Sequence, residues 1–190
     1  MTQVKDDGYL EGQLLLAMPN MGDPRFERSV IYVCAHTADS AMGLVINRLA
    51  GNITFPELLD QLSIDVDAPD ETIPIHAGGP VEPTRGFVLH SADYIQDTTL
   101  VISETVALTA TADILKAIAQ HSGPQYSLLA LGYAGWGAGQ LDMEIQANGW
   151  LHTEADDQLM FCTDPNLKWP LAMAKLGVDV SMLSTEAGHA

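Results

Sequence analysis

The sequence predicts a single α+β domain, on three observations. A chain of 190 residues, 47% hydrophobic and 17% charged, suits one domain with its own core rather than a disordered chain. Short apolar and β-branched runs, typical of strands, are mixed with amphipathic runs, typical of helices. Their order lacks the regular βαβ alternation of a doubly wound sheet, which favours α+β. We expect residues 1–190 to form this one domain, with loose tails at 1–8 and 184–190.

Eight strands are predicted from β-branched, aromatic and apolar runs bounded by turn-forming residues. The run YSLLALGY is almost continuously apolar, so we expect a central strand covered on both faces. In the run SVIYVCAH, alternation places Val30, Tyr32, Cys34 and His36 on one face. The predicted strands cover 13–18, 29–36, 42–48, two short segments within 73–90, 98–103, 126–133 and 149–154.

Four helices are predicted, each from a start signal and an apolar periodicity. Thr54 and Glu57 match a capping box at the start of the first helix. Thr111 or Thr109 caps the second helix, which runs through about residue 121, where the sequence HSGP stops it. The third covers 139–148. Asp164 caps the fourth, over 166–176, where a proline lies near the start or kinks the helix.

The charge balance disfavours direct contact with nucleic acid. There are 25 acidic residues against 8 basic ones, a formal net charge of -17, and no basic stripe to meet phosphates. The polar, acidic start lacks the features of a secretory signal, and no run is long enough to span a bilayer. Two cysteines, Cys34 and Cys162, do not make a disulfide framework. We therefore expect a cytoplasmic protein without membrane contact.

The stretch LGYAGWGAGQL, residues 131–141, raises the question of nucleotide binding. Gly135 and Gly137 fit the first two positions of a dinucleotide fingerprint, but the third is Gln140, and no lysine follows as in a phosphate loop. We therefore favour a strand-to-helix turn formed by Gly135, Trp136, Gly137, Gly139 and Gln140, with the indole packed on the core. A nucleotide or another small ligand at this turn remains an alternative.

Signals for catalysis and metal binding are weak. The nucleophile pattern G-x-S-x-G does not occur, and none of the six histidines has metal-site spacing. Cys34 and His36 are two residues apart, but an apolar setting favours a buried, inert thiol. A zinc site built by His36, His76 and His90 across strands is a weaker alternative. We predict no catalytic residue, cofactor or metal.

The four arginines, all in the first half of the chain, are the most informative charged residues. Internal ion pairs with Asp23, Glu27 or Glu82 are the favoured interpretation. The alternative is an anion-binding pocket that they form together with polar side chains of the same loops. The candidate ligand-binding residues are Asn20, Arg25, Asn47, Arg48, Arg85 and His90.

Three stretches together resemble a known bacterial family. They are LLLAMPNMGDPRFERSVIYVCAHTADSAMGLVINR, HAGGPVEPTRGFVLH and GYAGWGAGQLDMEIQANGWL, with EAGHA near the end. The chain resembles the YqgE/AlgH family over nearly its whole length. Ser40 and Leu49 depart from the glycine and proline that the family often has there. The matching motif positions include Pro19, Phe26, Asn47, Arg48, Gly78, Gly79, Pro80, His90, Gly135, Trp136, Gly139 and Gln140.

The resemblance implies a single domain with a branched, barrel-like mixed β-sheet flanked by helices. Some family members are called candidate transcriptional regulators, but no catalytic residues carry over. We expect a non-catalytic regulatory or binding protein that acts through an unknown protein or small molecule. A small-molecule sensor or enzyme with an Arg/Asn/His-lined cleft is the alternative, and direct DNA binding rests on the family description alone.

Overall fold

The computed structural model describes residues 8–179, so of the two predicted tails only Gly8 lies within the described residues. The described chain is an α+β domain: a curled, half-barrel sheet with helices on both sides. Its strands are β1 Gln13–Ala17, β2 Val30–His36, β3 Ser40–Val45, β4 Ile75–Ala77, β5 Val81–Ser91, β6 Leu100–Val101, β7 Val106–Thr109, β8 Ser127–Gly137 and β9 Trp150–Glu154. Its α-helices are α1 Phe55–Gln61, α2 Ala112–Ala119, α3 Gln140–Gln146 and α4 Pro165–Lys175, with a 3₁₀ turn at Pro24–Phe26 and a π-helical turn at Gln158–Cys162.

The sheet branches at β8, as the family resemblance implies. Antiparallel neighbours follow the order β6-β7-β5-β8-β3-β2-β1-β9, and β4 pairs with β8 in parallel. The first half of β8, at 127–131, lies between β5 and β4, whereas its last residues, 134–137, pair with β3. The predicted branched, barrel-like and mixed sheet is therefore confirmed.

A close backbone crossing forms the branch point. Gly132 has φ +75°, and the Gly78–Gly79 turn passes directly over it. A Cβ at Gly79 would overlap the carbonyl group of Tyr133. The Gly78 N–H donates to the Leu131 oxygen (2.8 Å), and the Gly78 oxygen accepts from the Val45 N–H (2.9 Å). The two-glycine turn thus joins β8 to the end of β3, which only residues without a side chain permit.

Three apolar clusters hold the domain together. The inner cluster fills the curl of the sheet and includes Tyr32, Phe87 and Trp169 of α4. The Trp169 indole N–H donates to the Ala17 oxygen (2.9 Å). On the outer face, one cluster packs α3 against β1–β3 and the end of β8. The other packs α1 and α2 against β5 and the start of β8. The first half of β8 is covered on both faces by these clusters, as its continuous apolar run predicts.

Several helix signals are confirmed at the level of hydrogen bonds. The Glu57 N–H donates to Thr54 Oγ1 (3.3 Å), and the Thr54 N–H donates to Glu57 Oε2 (2.8 Å), which completes the capping box. Asp164 caps α4 by accepting from the Asn166 N–H (2.9 Å). Pro170 lies inside α4. Within residues 8–179, no helix has the length and apolar character that a membrane crossing requires.

The face predicted for His36 is wrong, because β2 contains a bulge. The pairing of β2 with β3 shifts register between Val33 and Ala35, and one extra residue reverses the alternation of faces. Cys34 therefore stays in the inner cluster. His36 turns to the outer face, where its Nδ1 accepts from the Leu10 N–H (3.0 Å).

Two strand boundaries also differ from the prediction. The expected strand at 98–103 is reduced to the two residues of β6, and β7 at 106–109 follows it in a segment that was not predicted as a strand.

The glycine stretch is not a turn as a whole, since β8 runs through Gly135 and Gly137. The chain turns after Gly137, and the left-handed φ of +68° is at Gly139, the N-cap of α3.

Candidate functional site

The six candidate ligand-binding residues do not line one cavity. Arg48, Asn47 and Arg25 lie together at the loop before β2 and the end of β3. Asn20 lines a different cavity, beside Trp150 and the end of α3, and Arg85 lines a third. His90 is fully buried. The single Arg/Asn/His-lined cleft of the alternative interpretation is therefore not formed by these six residues, because they follow different strands of the curled sheet.

The residues of the first group hold the loop in place. Asn47 Oδ1 accepts from the Val30 N–H (2.9 Å), and Asn47 Nδ2 donates to the Arg28 oxygen (2.8 Å). The Arg48 guanidinium donates to the backbone oxygens of Arg25 and Glu27. These polar groups are used within the chain and form a loop clamp.

Ion pairs account for two of the four arginines, as the favoured interpretation predicts. Arg25 Nη2 lies 2.7 Å from Asp23 Oδ2, and its hydrogen bonds lower the pKa of the Asp23 carboxyl. Arg85 Nη1 lies 3.3 Å from Glu82 Oε2. Arg28 instead places its guanidinium 5.1 Å from the centre of the Trp169 ring, a cation–π contact.

His90 is part of a buried hydrogen-bond chain. Its Nδ1 lies 2.8 Å from the Ser91 oxygen, and its Nε2 lies 2.8 Å from Thr109 Oγ1, which meets Thr99 Oγ1 (2.8 Å). Burial lowers the pKa of His90. Both ring nitrogens are satisfied, so this histidine stabilises the β5–β7 pair and has no free atom for a ligand.

Arg85 and the glycine stretch meet at one groove. This cavity of about 560 Å³ lies at one end of the inner face of the sheet, and we call it the glycine-floored groove. Its volume is within the range of small-molecule sites, roughly 300–1,000 Å³. The lining residues come from β3, β5, β8 and the β6–β7 region: Ser40, Ala41, Met42, Val81, Arg85, Phe87, Thr98, Leu100, Leu108, Ala110, Tyr133, Gly135, Trp136 and Gly137.

The glycines of β8 form the floor of this groove. Gly137 pairs with Ser40 and Gly135 with Met42 across β3, and neither glycine has a side chain to fill the inner face. Trp136 between them points the other way and is 6% exposed. Its indole packs edge-on against Trp150, with ring centres 6.1 Å apart. The predicted packing of this tryptophan on the core is confirmed, and the backbone of β8 is left open to a ligand.

Aromatic rings and one cation form the walls. Phe87 and Tyr133 pack edge-on with ring centres 5.8 Å apart. The guanidinium of Arg85 lies 5.1 Å from the centre of the Phe87 ring. Arg85 lies within a break in the pairing of β5 with β8 between Val81 and Gly86, and such irregularities redirect side chains at sites. It is the one basic residue among those that line the groove.

The other candidate chemistry is not assembled in the described residues. His36, His76 and His90 have separate partners, and within residues 8–179 no three His, Cys, Asp or Glu side chains are grouped to hold a metal ion. Cys34 is 1% exposed, and burial, together with the charge of Glu11, raises the pKa of its thiol. A raised pKa opposes thiolate formation, which a nucleophile needs.

Sequence reasoning missed one buried cation. Lys168 of α4 is 2% exposed, and its Nζ donates to the backbone oxygens of Ile46 (2.8 Å) and Met160 (2.7 Å). Burial lowers its pKa to about 8. Burial and the charge of Lys168 lower the pKa of His76 to about 4. The sequence did not indicate that Lys168 is buried, because a lysine in an amphipathic helix is normally on the solvent side.

Comparison with known proteins gives consistent results over the whole chain. The model of the AlgH-like family matches residues 14–181. A UPF0301 protein of Bradyrhizobium sp. is 59% identical over 96% of this chain and 88% of its own length. A UPF0301 protein of Rhodospirillum rubrum is 53% identical over 98% and 97%.

Two solved structures have the same fold. The AlgH protein from Pseudomonas aeruginosa superposes with a TM-score of 0.82 at 44% identity and covers 100% of both chains. A Corynebacterium diphtheriae protein, at 19% identity, superposes with a TM-score of 0.72 over 93% of this chain and 92% of that one. The second similarity extends to the fold alone.

Proposed function

This chain belongs to the AlgH-like family, and we propose that it is a cytosolic, non-catalytic binding protein with a regulatory role. Its ligand is a small organic anion with a flat apolar body, bound in the glycine-floored groove. The observation that supports this most directly is the bare backbone of Gly135 and Gly137 beneath aromatic walls and a single cation.

The shape of the groove favours a flat ligand. With no side chain at Gly135 or Gly137, a ring can approach the backbone of β8 as closely as its own thickness allows. Phe87 and Tyr133 then meet it with their edges and faces, where aromatic pairs gain roughly 0.5–1.5 kcal/mol beyond burial. A flat body therefore uses more of this surface than a branched one.

The charges favour one acidic group on that ligand. Arg85 is half exposed and has one contact to Glu82, at 3.3 Å, so part of its guanidinium fork is open to a second anion. The stacking of Arg85 on Phe87 holds the fork at the rim. Because Arg85 is isolated within a chain of net charge -17, a polyanion such as DNA is repelled while a monoanion is retained.

A regulatory effect then requires a protein partner rather than DNA contact. The ligand would touch β3, β5, β8 and the exposed Leu100 of the two-residue edge strand β6. An edge strand with so few pairing partners is sensitive to what packs beside it. Occupancy of the groove would order this edge, which another protein can recognise. The free thiols of Cys34 and Cys162 are compatible with the reducing cytosol that we propose.

A fluorescent probe with the proposed chemistry tests the site. 8-Anilinonaphthalene-1-sulfonate carries a flat naphthalene ring system and a single sulfonate, and its emission rises on binding. We expect saturable binding to the folded wild type. Arg85→Gln should weaken it by about tenfold, the loss of one charge-assisted contact. Gly135→Val should abolish it, since the new side chain fills the floor. A Cβ at Gly135 meets the Tyr133 ring at 3.4 Å and Val81 at 3.7 Å, ordinary contacts that the fold accepts.

Two matched variants serve as controls. Arg25→Gln makes the same charge change on an exposed loop, and Gly51→Val makes the same size change where nothing lies within 4 Å. Both should bind the probe as the wild type does, within about twofold. Equal probe binding by the two groove variants and the two control variants would refute the proposed site. Probe binding only under conditions that disrupt the fold would also refute it.

A further inference from the structure

A second cavity lies where the loop before β2 and the segment after β3 meet the first turns of α4. It has a volume of about 270 Å³, and we call it the arginine cavity. Arg28 comes from the first segment, Asn47 and Arg48 come from the second, and Trp169 comes from α4. The arginine cavity shares no lining residue with the glycine-floored groove.

The guanidinium of Arg28 is open to an anion. Its Cζ lies 5.1 Å from the centre of the Trp169 ring, and the residues that the structure describes place no carboxylate within ion-pair distance of it. Contact with the ring occupies one face of the guanidinium plane. The five N–H donors lie along the edge of that plane, so the edge remains available to a ligand.

The backbone of Arg28 is held in an unfavourable conformation. Its φ is +53°, in the left-handed region that residues with a side chain seldom adopt. Asn47 Nδ2 donates to the Arg28 oxygen (2.8 Å), and Asn47 Oδ1 accepts from the Val30 N–H (2.9 Å). Asn47 thus fixes the chain on both sides of Ser29. Strained residues that their surroundings hold in place are concentrated at binding and switch sites.

Arg48 supplies a second cation to the same cavity. Its guanidinium uses two of five N–H donors for the backbone oxygens of Arg25 and Glu27, which leaves three. Bonds to backbone oxygens fix its orientation without neutralising its charge. Glu27 is the one acidic residue among those that line the cavity. In the described part of the chain, its carboxylate forms no ion pair with either arginine of the cavity.

A buried ammonium group adds to the positive potential of the cavity. Lys168 precedes Trp169 in α4, and its Nζ donates to the oxygen of Ile46 (2.8 Å), the residue before Asn47. Burial lowers the pKa of Lys168 to about 8, so this lysine is mostly charged at pH 7. The charge of Asp164, the cap of α4, offsets it in part. Two guanidinium groups still remain uncompensated at the cavity itself.

These groups favour a phosphate monoester over a carboxylate. A carboxylate has two oxygens, which one guanidinium fork can occupy completely. A phosphate monoester presents three oxygens and up to two negative charges, so Arg28 and Arg48 can each bind a different oxygen. Pro165 and Pro170 of α4 also line the cavity and offer an apolar surface to the ester group. The volume is below the roughly 300–1,000 Å³ of drug-sized ligands, which limits that group to a small one.

We propose that the arginine cavity binds the dianionic phosphate group of a small phosphate monoester. Arg28 donates to the phosphate through the open edge of its guanidinium. Arg48 donates through the N–H groups that the loop clamp leaves free, and the ester group lies along Pro165 and Pro170. The site is independent of the glycine-floored groove and of the regulatory function proposed above.

Phenyl phosphate at pH 7.5 and constant ionic strength tests the site, with binding followed by NMR shifts of the amides of Arg48, Asn166 and Trp169. Arg28→Gln removes the charge and should weaken binding by about tenfold. Arg28→Lys keeps the charge but loses the planar fork, and should weaken binding by about threefold. Arg25→Gln removes the same charge from the same loop outside the cavity, and should change the affinity by less than about twofold.

Two further ligands separate the contribution of the charge from that of the ester group. Phenyl sulfate has nearly the same shape with one negative charge, and should bind about fivefold more weakly than phenyl phosphate. Inorganic phosphate lacks the ring, and should shift the same amides with about threefold lower affinity. Arg85→Gln should bind phenyl phosphate as the wild type does, since Arg85 lines the other site.

Three outcomes would overturn the proposal. Wild-type affinity for phenyl phosphate in Arg28→Gln would exclude this guanidinium from the site. Equal weakening by Arg28→Gln and Arg25→Gln would attribute binding to the general charge of the loop. Equal affinities for phenyl phosphate and phenyl sulfate would show that the cavity does not select a dianion. An unchanged amide spectrum outside the cavity shows that a loss of binding in Arg28→Gln is local and not a loss of the fold.

Discussion

The free energy of unfolding of the wild type should increase between pH 8 and 9.5, and the substitution Lys168→Met should abolish this increase. Burial lowers the pKa of Lys168 to about 8, against 10.5 for an ordinary lysine. In this window the unfolded chain keeps the proton and the folded chain releases it. The unfolded state therefore binds more protons, and the free energy of unfolding rises with pH.

The magnitude follows from the two pKa values. Their difference of about 2.5 corresponds to ~3 kcal/mol when titration is complete, and to about 2 kcal/mol at pH 9.5, where the unfolded lysine is still mostly charged. Once neutral, the amine still donates to the oxygens of Ile46 and Met160. Stability increases because the folded protein no longer buries a charged ammonium group, which has no carboxylate among its hydrogen-bond partners.

Urea unfolding at pH 7, 8, 9 and 9.5 measures the effect as a difference between wild type and variant. The difference is needed because Cys34 and Tyr32 have raised pKa values, so their ionisation in the unfolded chain lowers stability at high pH in both proteins. Subtraction cancels these contributions. Lys175→Met, the same change at a half-exposed lysine, is the matched control for the loss of a lysine side chain.

A wild-type minus Lys168→Met difference that stays constant within about 0.5 kcal/mol from pH 7 to 9.5 would refute the reasoning. If the variant does not fold, the wild type alone decides the question. The Cε resonance of Lys168, followed by NMR in ¹³C-lysine-labelled protein, should titrate with a midpoint near pH 8. A midpoint near that of an ordinary lysine would show that the charge is accommodated at no cost.

Three further predictions follow from the same structure. Gly79→Ala should lower the free energy of unfolding in urea by about 3 kcal/mol or more, because the Cβ overlaps the Tyr133 carbonyl, whereas Gly135→Ala should lower it by less than about 1 kcal/mol. Similar losses of stability in the two variants would contradict the branch-point geometry. NMR should show that His76 in the folded protein stays neutral until the pH nears 4. Stability should fall as the pH drops from 6.5 toward 4, since the unfolded chain takes up this proton first. Protonation of folded His76 at pH 6 would contradict its burial. At net charge -17, the protein should give no mobility shift with promoter or random DNA at low salt; a saturable shift would contradict indirect regulation.

The α+β class and most elements could be predicted because their signals are local. The Thr54–Glu57 capping box and the apolar run that becomes β8 depend on neighbours in sequence, and both are found as expected. The face of His36 could not be predicted, because the bulge in β2 depends on the strand paired with it. β6 and β7 were hidden for a similar reason, since two short strands separated by a turn have little periodicity of their own.

The residues of the proposed site were singled out separately and not as an assembly. Arg85 and the glycine stretch were both singled out, yet they are about fifty residues apart and meet only because β5 and β8 are neighbours. The other arginines were grouped with Arg85 by residue type. Their partners, such as the backbone oxygens held by Arg48, are invisible in a sequence. Gly135 and Gly137 form the floor of the groove because β8 continues through them. The sequence did not predict this, since closely spaced glycines usually indicate a turn.

The central position of β8 has a consequence for how the protein is made. β3 and β5 both pair with β8, which is synthesised only after about two thirds of the chain. Until then, β3 and β5 can pair with β2 and β7, but the edges that pair with β8 have no partner. Nascent or truncated chains that end before residue 127 should therefore be targets for chaperones and proteases, and folding should wait for one late strand.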